Sequence, residues 1–388
     1  MIRALIAGLL LLQMILAYPS AANDASTGEI RLGLSAALSG SAAALGQGMQ
    51  QGIDCLVQQV NAGGGVHGQP LRLLSMDDGY EPERAVANVQ QLLERDQVLA
   101  LVGNVGTPTA VVTVPMANRH RTLLFGAYTG AGLLRRSPPD RYVINFRASY
   151  AEETMAMIDG LLGRGIRPEE IAFFTQNDGY GDAGYQGAIR ALKSHGYAAA
   201  EALPHGRYTR NRIHVEKALG TILDSPMEPK AIIMVGTYKP TAAFVRLARQ
   251  ELPRTRFLSV SFVGSEPLAQ ELGPDGDGVV VTQVVPPIDT DWPGVRDYHK
   301  AMATCGYQPG LVSLEGFLAA RLLLLGLERA GPQPTREGII QALESLGTVD
   351  LGLGAPLMLS AQEHQASHTV WPTVLRQGRF VAVDWNNF

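Results

Sequence analysis

From Leu101 to Thr129 the chain reads LVGNVGTPTAVVTVPMANRHRTLLFGAYT, and this stretch constrains the fold more than any other. An apolar run, Val98 to Val102, stops at Gly103-Asn104 and a loop holding Gly106, Thr107 and Pro108. Apolar residues then recur at helical spacing (Ala110, Val111, Val114, Ala117) before a second strand-like run, Thr122 to Phe125. That run ends in another small-residue loop, Gly126-Ala127-Tyr128-Thr129. Strand, helix and strand in succession describe a parallel crossover. Both loops then leave the carboxyl ends of their strands, the edge at which such sheets bind ligands. Small residues let the backbone approach a ligand. Thr107 and Thr129 place hydroxyls beside helix N-termini, where they could face an anion or simply cap the helices.

The alternation runs through the rest of the chain. Strands are expected at Glu29–Leu34, Leu71–Met76, Tyr142–Phe146, Ile171–Thr175, Ala198–Leu203, Ala231–Val235, Arg256–Val260 and Val279–Val285, with helical patterns between most of them. Thr369–Leu375 and Phe380–Trp385 read as two antiparallel strands about Arg376-Gln377-Gly378, and Asp350–Gly354 as a connector. These are too many strands for one compact sheet, and 388 residues suffice for two cores. The fold class is therefore α/β in two lobes.

Several functions are excluded or disfavoured. A formal net charge of −4 gives no basic surface for nucleic acid. No G-x-G-x-x-G follows the first strand, and no P-loop lysine or G-x-S-x-G elbow occurs. Asp77-Asp78 lacks a nearby His or Cys and reads as a turn and cap. The His364/His368 pair lies in a polar run and reads as solvated. No catalytic set, metal site or cofactor is expected. Residues 1–22 carry Arg3, an apolar core from Ala4 to Leu16, and Ser20-Ala21-Ala22, the pattern of a cleaved secretory leader. The mature chain is expected in an exported, oxidising compartment. Cys55 and Cys305, far apart in sequence, are expected as buried free thiols.

Four segments in order carry a family resemblance: LSGSAAALGQGMQQGIDCLVQQVNAGGGVHGQPLRLLSMDDGYEPERAVANVQQLL, VGNVGTPTAVVTVPMANRHRTLLFGAYTG, QNDGYGDAGYQGAIRALKSHG and LVSLEGFLAARLLLLGLERAG. Together they resemble the branched-chain amino acid (Leu/Ile/Val) binding proteins, type I periplasmic substrate-binding proteins that serve ABC importers. The resemblance implies a periplasmic monomer of two lobes that close on ligand and present it to a permease. It places one lobe at 29–147 with 286–350 and the other at 148–285 with 351–388, crossing near Arg147, Val285 and Leu351. It also implies that Thr107, Thr129 and the backbone at Ala127 and Tyr128 hold a carboxylate. Tyr180 and Tyr238 would close from the second lobe, and Leu45 would line the pocket.

One position departs from that family. Its amino-acid binders carry a glutamate for the ligand's ammonium after the strand Arg256–Val260, where this chain has Ser261-Phe262. A serine cannot neutralise a buried ammonium. Asp178 could substitute, or the ligand could be an amine-free acid or an amide, with Phe262 and Tyr128 suited to an aromatic ring. A sensor of the same fold, signalling to a membrane kinase or cyclase, is the alternative to a transporter component.

Overall fold

The computed structural model describes residues 28–387, so the expected leader at 1–22 lies outside the described residues. The first sheet holds β1 (Ile30–Ala36), β2 (Leu71–Asp77), β3 (Ala100–Val102), β4 (Leu123–Phe125) and β5 (Val143–Ile144). They lie in the order β2-β1-β3-β4-β5, all parallel. Helices α1 (Ala43–Ala62), α2 (Pro82–Glu94) and α3 (Thr107–Arg119) form its crossovers. Strands buried on both faces need continuous apolar runs, and β3 and β4 are buried throughout.

The chain then passes into a second layered unit at 145–149. There α4 (Tyr150–Gly163), β6 (Ile171–Gln176), α5 (Gly179–Ser194), β7 (His205–Tyr208), α6 (Glu216–Leu223), β8 (Ala231–Val235), α7 (Tyr238–Glu251), β9 (Arg256–Ser259), α8 (Ser265–Leu272) and β10 (Val280–Gln283) follow. Ser149 opens α4 with a capping box, accepting from the Glu152 N–H while the Glu152 carboxylate accepts from the Ser149 N–H.

The chain returns to the first lobe with α9 (Pro293–Cys305), α10 (Leu311–Ala330), α11 (Arg336–Glu344) and a hairpin of β11 (Gly347–Val349) and β12 (Leu357–Leu359). The tail supplies β13 (Trp371–Arg376) and β14 (Arg379–Ala382), antiparallel additions to the second sheet, whose order is β14-β13-β10-β9-β8-β6-β7. Two α/β lobes with parallel sheets between helices result, as the strand count demanded.

Four local expectations are corrected. The alanine-rich Ala198–Leu203 is no strand. Ala200–Ala202 forms a 3-10 turn, and the β-strand starts after Pro204, at His205. Alanine fills a pleated surface poorly. The third passage between lobes is not at Leu351. Gly352, at φ 70°, lies in the connection between β11 and β12, where the chain turns back within the first lobe and the Gly352 carbonyl accepts from the Gly294 N–H on α9. The passage comes at Gln365–Ser367, where Ala366 and Ser367 donate to the carbonyls of Asn145 and Phe146, so the first and third passages run side by side.

Cys55 and Cys305 are joined in a disulfide, Cα to Cα 5.9 Å. Sequence separation concealed that α9 returns to pack on α1. His364 is buried rather than solvated, its Nδ1 beside the Val143 carbonyl at 2.9 Å and its Nε2 beside Glu344 at 3.1 Å.

Candidate functional site

The carboxyl ends of both sheets meet in one buried seam. From the first lobe, the β3 and β4 loops are locked together: Tyr128 N–H donates to the Asn104 carbonyl at 2.8 Å, and Gly106 N–H to the Tyr128 carbonyl at 3.1 Å. Gly106 sits at φ 106°, and a Cβ there would come within 2.3 Å of the Tyr80 ring, so no other residue fits. This turn delivers Thr107 as the first residue of α3, its hydroxyl 2.7 Å from that of Thr129, both fully buried. Of the expected carboxylate holders, these hydroxyls are brought together at a helix N-terminus. The Tyr128 N–H is spent on Asn104, because loop–loop pairing claims it before any ligand can.

From the second lobe, Tyr180 lies in the first turn of α5, buried, its hydroxyl donating to the Gly236 carbonyl at 3.3 Å. Tyr238 opens α7, and its hydroxyl accepts from Ala44 N–H of the first lobe at 3.5 Å. Leu45 packs so closely on the second lobe that a Cβ at Gly264 would stand 2.4 Å from its Cδ2. Tyr128 donates from its hydroxyl to the Ser261 carbonyl at 3.2 Å. Leu45, Tyr128 and Tyr238 thus reach the other lobe directly, Thr107, Thr129, Tyr180 and Ser261 lie buried beside them, and the lobes are closed upon each other.

Beneath the seam lies an ionic cluster missed at the sequence level. Arg147, on the first passage, is fully buried between Glu153 of α4 at 3.3 Å and Glu315 of α10 at 3.5 Å. Glu153 is saturated: it accepts from Ser261 N–H at 2.7 Å, Thr282 hydroxyl at 2.6 Å and Ser261 hydroxyl at 3.1 Å. The Ser261 hydroxyl also meets Arg147. Burial opposes the Arg147 charge, but Glu315 and Glu153 outweigh it and hold the guanidinium above its ordinary value. Burial pushes Glu153 up despite Arg147 and its hydrogen bonds. Glu315 is pushed by burial to about 7, with Arg147 pulling against it. A lone acid in the apolar run of α10 and an arginine beside the S-x-x-E capping box were the signals available for this cluster.

Above the cluster is an aromatic group. Phe262, on the 3-10 turn Ser261–Val263, has four tyrosine rings about it: Tyr180 at 4.6 Å, Tyr128 at 5.1 Å, Tyr80 at 6.1 Å and Tyr150 at 6.5 Å between centroids. Arg147 lies under Tyr128 and Tyr150, its guanidinium carbon 4.9 and 5.8 Å from their centroids. Burial raises Tyr80, Tyr128 and Tyr180 well above the usual phenol range, so each is a neutral donor.

At the opposite edge Arg210, in the loop after β7, bridges Glu81 of the first lobe at 2.9 Å and Asp178 at 3.3 Å. Asn211 donates to Glu81 at 2.7 Å and Ser41 to Asn211 at 2.8 Å. Asp178 caps α5, accepting from Tyr180 N–H at 3.0 Å. The acid proposed to replace the missing glutamate is thus committed to a helix cap and an arginine.

A sequence profile of the family described as "Periplasmic binding protein" matches residues 29–379. A structure titled as a possible leucine/isoleucine/valine-binding protein from Rhodopirellula baltica superposes with a TM-score of 0.89 at 45% identity, over 92% of this chain and 97% of that one. "Leu/Ile/Val-binding protein homolog 2" of Brucella abortus is 21% identical over 335 residues, 85% of this chain and 86% of its own. "Amino acid binding protein" of Pseudomonas aeruginosa is 24% identical over 255 residues, 63% of this chain and 64% of its own.

Proposed function

The chain belongs to the periplasmic binding protein family, and from that premise we propose that it is an exported, monomeric solute-binding protein that closes two lobes on a small carboxylate- or amide-bearing molecule and presents it to an ABC permease. On this reading it is a binder and not an enzyme, its lobes being 29–144 with 286–363 and 150–283 with 371–385. The observation that carries the reading is the Thr107–Thr129 hydroxyl pair, 2.7 Å apart at the N-terminus of α3, buried where both lobes meet. Two hydroxyls that share one hydrogen bond keep a proton for an acceptor, and the helix terminus favours a negative one.

The acids near the seam supply the next step. Glu153 and Glu315 both face Arg147, and Asp178 faces Arg210. A ligand ammonium would have to compete with a guanidinium for each of these three carboxylates, and an uncompensated buried charge is costly. The ligand is accordingly an amine-free acid or an amide, positioned by Thr107, Thr129 and the Ala127 backbone, and enclosed by Tyr128, Tyr180, Tyr238, Leu45 and Ser261.

A thermal-shift screen of the mature chain, with the twenty amino acids beside aliphatic and aromatic acids and amides, tests this. A bound solute raises stability with the logarithm of its concentration over its Kd. Stabilisation by amine-free acids or amides alone is the expected result; stabilisation by leucine, isoleucine or valine would remove the argument from the arginine-paired acids. Thr107→Val should weaken binding by about 1–3 kcal/mol by leaving an acceptor unpaired. Unchanged affinity in that variant would sink the carboxylate assignment.

A further inference from the structure

The seam already holds a ring. Phe262 belongs to the second lobe, yet its phenyl group is fully buried and contacts Tyr80 and Tyr128 from the first lobe as well as Tyr150 and Tyr180 from its own. The four tyrosines come from four separate strand-end or passage segments, so they converge only when the lobes are shut. Tyr80 is held at φ 64°, a conformation a bulky aromatic residue rarely takes. Strain of that kind persists where surrounding structure imposes it and gathers at ligand sites.

The polar half of a site lies alongside. Gly179, next to Tyr180, faces the Thr107 methyl group, which a Cβ at Gly179 would meet at 3.7 Å. Thr129 directly follows Tyr128. A ring in the tyrosine box thus has the hydroxyl pair as its neighbour. Phe262 itself sits on a three-residue turn between β9 and Gly264, the latter at φ 81°.

We infer that Phe262 is a built-in occupant of the ligand's ring subsite: its phenyl group holds the lobes closed without solute, and a small aromatic acid displaces it, setting its own ring among the tyrosines and its carboxylate on Thr107 and Thr129. This rests on the solute-binding reading above. A ring bridging both lobes biases the open–closed equilibrium just as a ligand does, because it contacts the two halves only in the closed form. A solute lacking a ring could not replace the contacts that Phe262 gives up on leaving.

Small-angle X-ray scattering on the parent and on Phe262→Ala, with phenylacetate as probe and acetate as ring-free control, decides the matter. The parent should have the same radius of gyration with and without phenylacetate. Phe262→Ala should be larger alone, return to the parent's value with phenylacetate, and stay large with acetate. A variant that keeps the parent's radius without ligand overturns the occupant, as does an opened variant that phenylacetate fails to close. If Phe262→Ala does not fold, Phe262→Leu retains apolar bulk without a ring face. It is expected to be larger than the parent and to close on phenylacetate, and a parent-like radius overturns the inference equally.

The failures of the two readings are distinguishable. Ring-free solutes that stabilise a parent whose Phe262→Ala form stays closed would leave solute binding standing and remove the occupant. A parent that no solute stabilises, phenylacetate included, would remove solute capture and overturn displacement of the Phe262 ring with it, even beside a variant that opens and recloses on phenylacetate.

Discussion

Two arginines stitch the lobes together with the same grammar and opposite surroundings. Arg147 takes Glu153 from the second lobe and Glu315 from the first; Arg210 takes Asp178 from the second and Glu81 from the first. Arg147 is fully buried beside the first passage, whereas Arg210 is a quarter exposed. Arg210 also joins the sheet edges at β2 and β7, which lie away from the strands that lead into the passages. Burial removes water as a competitor for the charges but makes each charge expensive to strand. Exposure leaves water in place, so the outer pair adds little net energy. The inner arginine therefore sets whether the molecule folds around its hinge. The outer one trims the balance between open and closed.

The sharpest way to break the comparison is Arg147→Met. It strands Glu153 and Glu315 beneath the aromatic box, and removal of one partner from a buried pair costs about 3–5 kcal/mol. Urea unfolding should register that loss. A cost under about 1 kcal/mol would mean that burial is not what distinguishes the two bridges.

A smaller effect comes from Glu315→Gln and shows itself in pH dependence. Glu315 is raised by burial from 4.5 to about 7, with Arg147, Glu153 and Arg135 as the charges acting on it. The folded state thus holds this proton more tightly than the unfolded chain does. Stability from this group is present below about 4.5 and is lost as pH rises through about 7. The glutamine variant lacks that loss. Relative to the parent, it should gain on the order of 1–3 kcal/mol between pH 5 and pH 8. A gap that stays constant with pH would place the proton elsewhere in the cluster, Glu153 being the other acid raised by burial.

How far the sequence reached follows from the range of each signal. Alternating apolar runs and glycine-ended loops are local, and they sufficed for two α/β lobes and for the Thr107 and Thr129 loops. Tyr180, Tyr238 and Leu45 were named from resemblance and Ser261 from the departure from it, and each makes a contact near the meeting of the lobes. What escaped was set by contacts between distant segments. Glu315 looks like one acid in a leucine-rich helix until α10 packs on α1, where Gly52 lies against the Ser313 carbonyl and brings the backbones together. Arg147 and Glu153 flank a capping box that explains itself locally, so nothing pointed to a bridge across lobes. The same range limit hid the Cys55–Cys305 bond. Phe262 was visible as a residue suited to a ring, but its four tyrosine neighbours come from 80, 128, 150 and 180, a spread no periodicity connects.

The smallest effect tests the outer arginine. Glu81→Gln keeps the side chain's shape and its capacity to accept from Asn211, but removes the charge facing Arg210. With the Glu81 side chain 44% exposed, the pair should contribute about 0.2–1 kcal/mol at low ionic strength. At about 1 M salt, where screening acts over roughly 3 Å, parent and variant should unfold at the same urea concentration. The scattering radius should shift slightly towards the open form at low salt and not at high salt, because the lost contact exists only when Arg210 of one lobe reaches Glu81 of the other. A salt-independent loss as large as that of Arg147→Met would mean that water does not reach this edge in solution. The two arginines would then be alike in energy as well as in geometry, and closure would rest on both edges of the seam instead of on the hinge side alone.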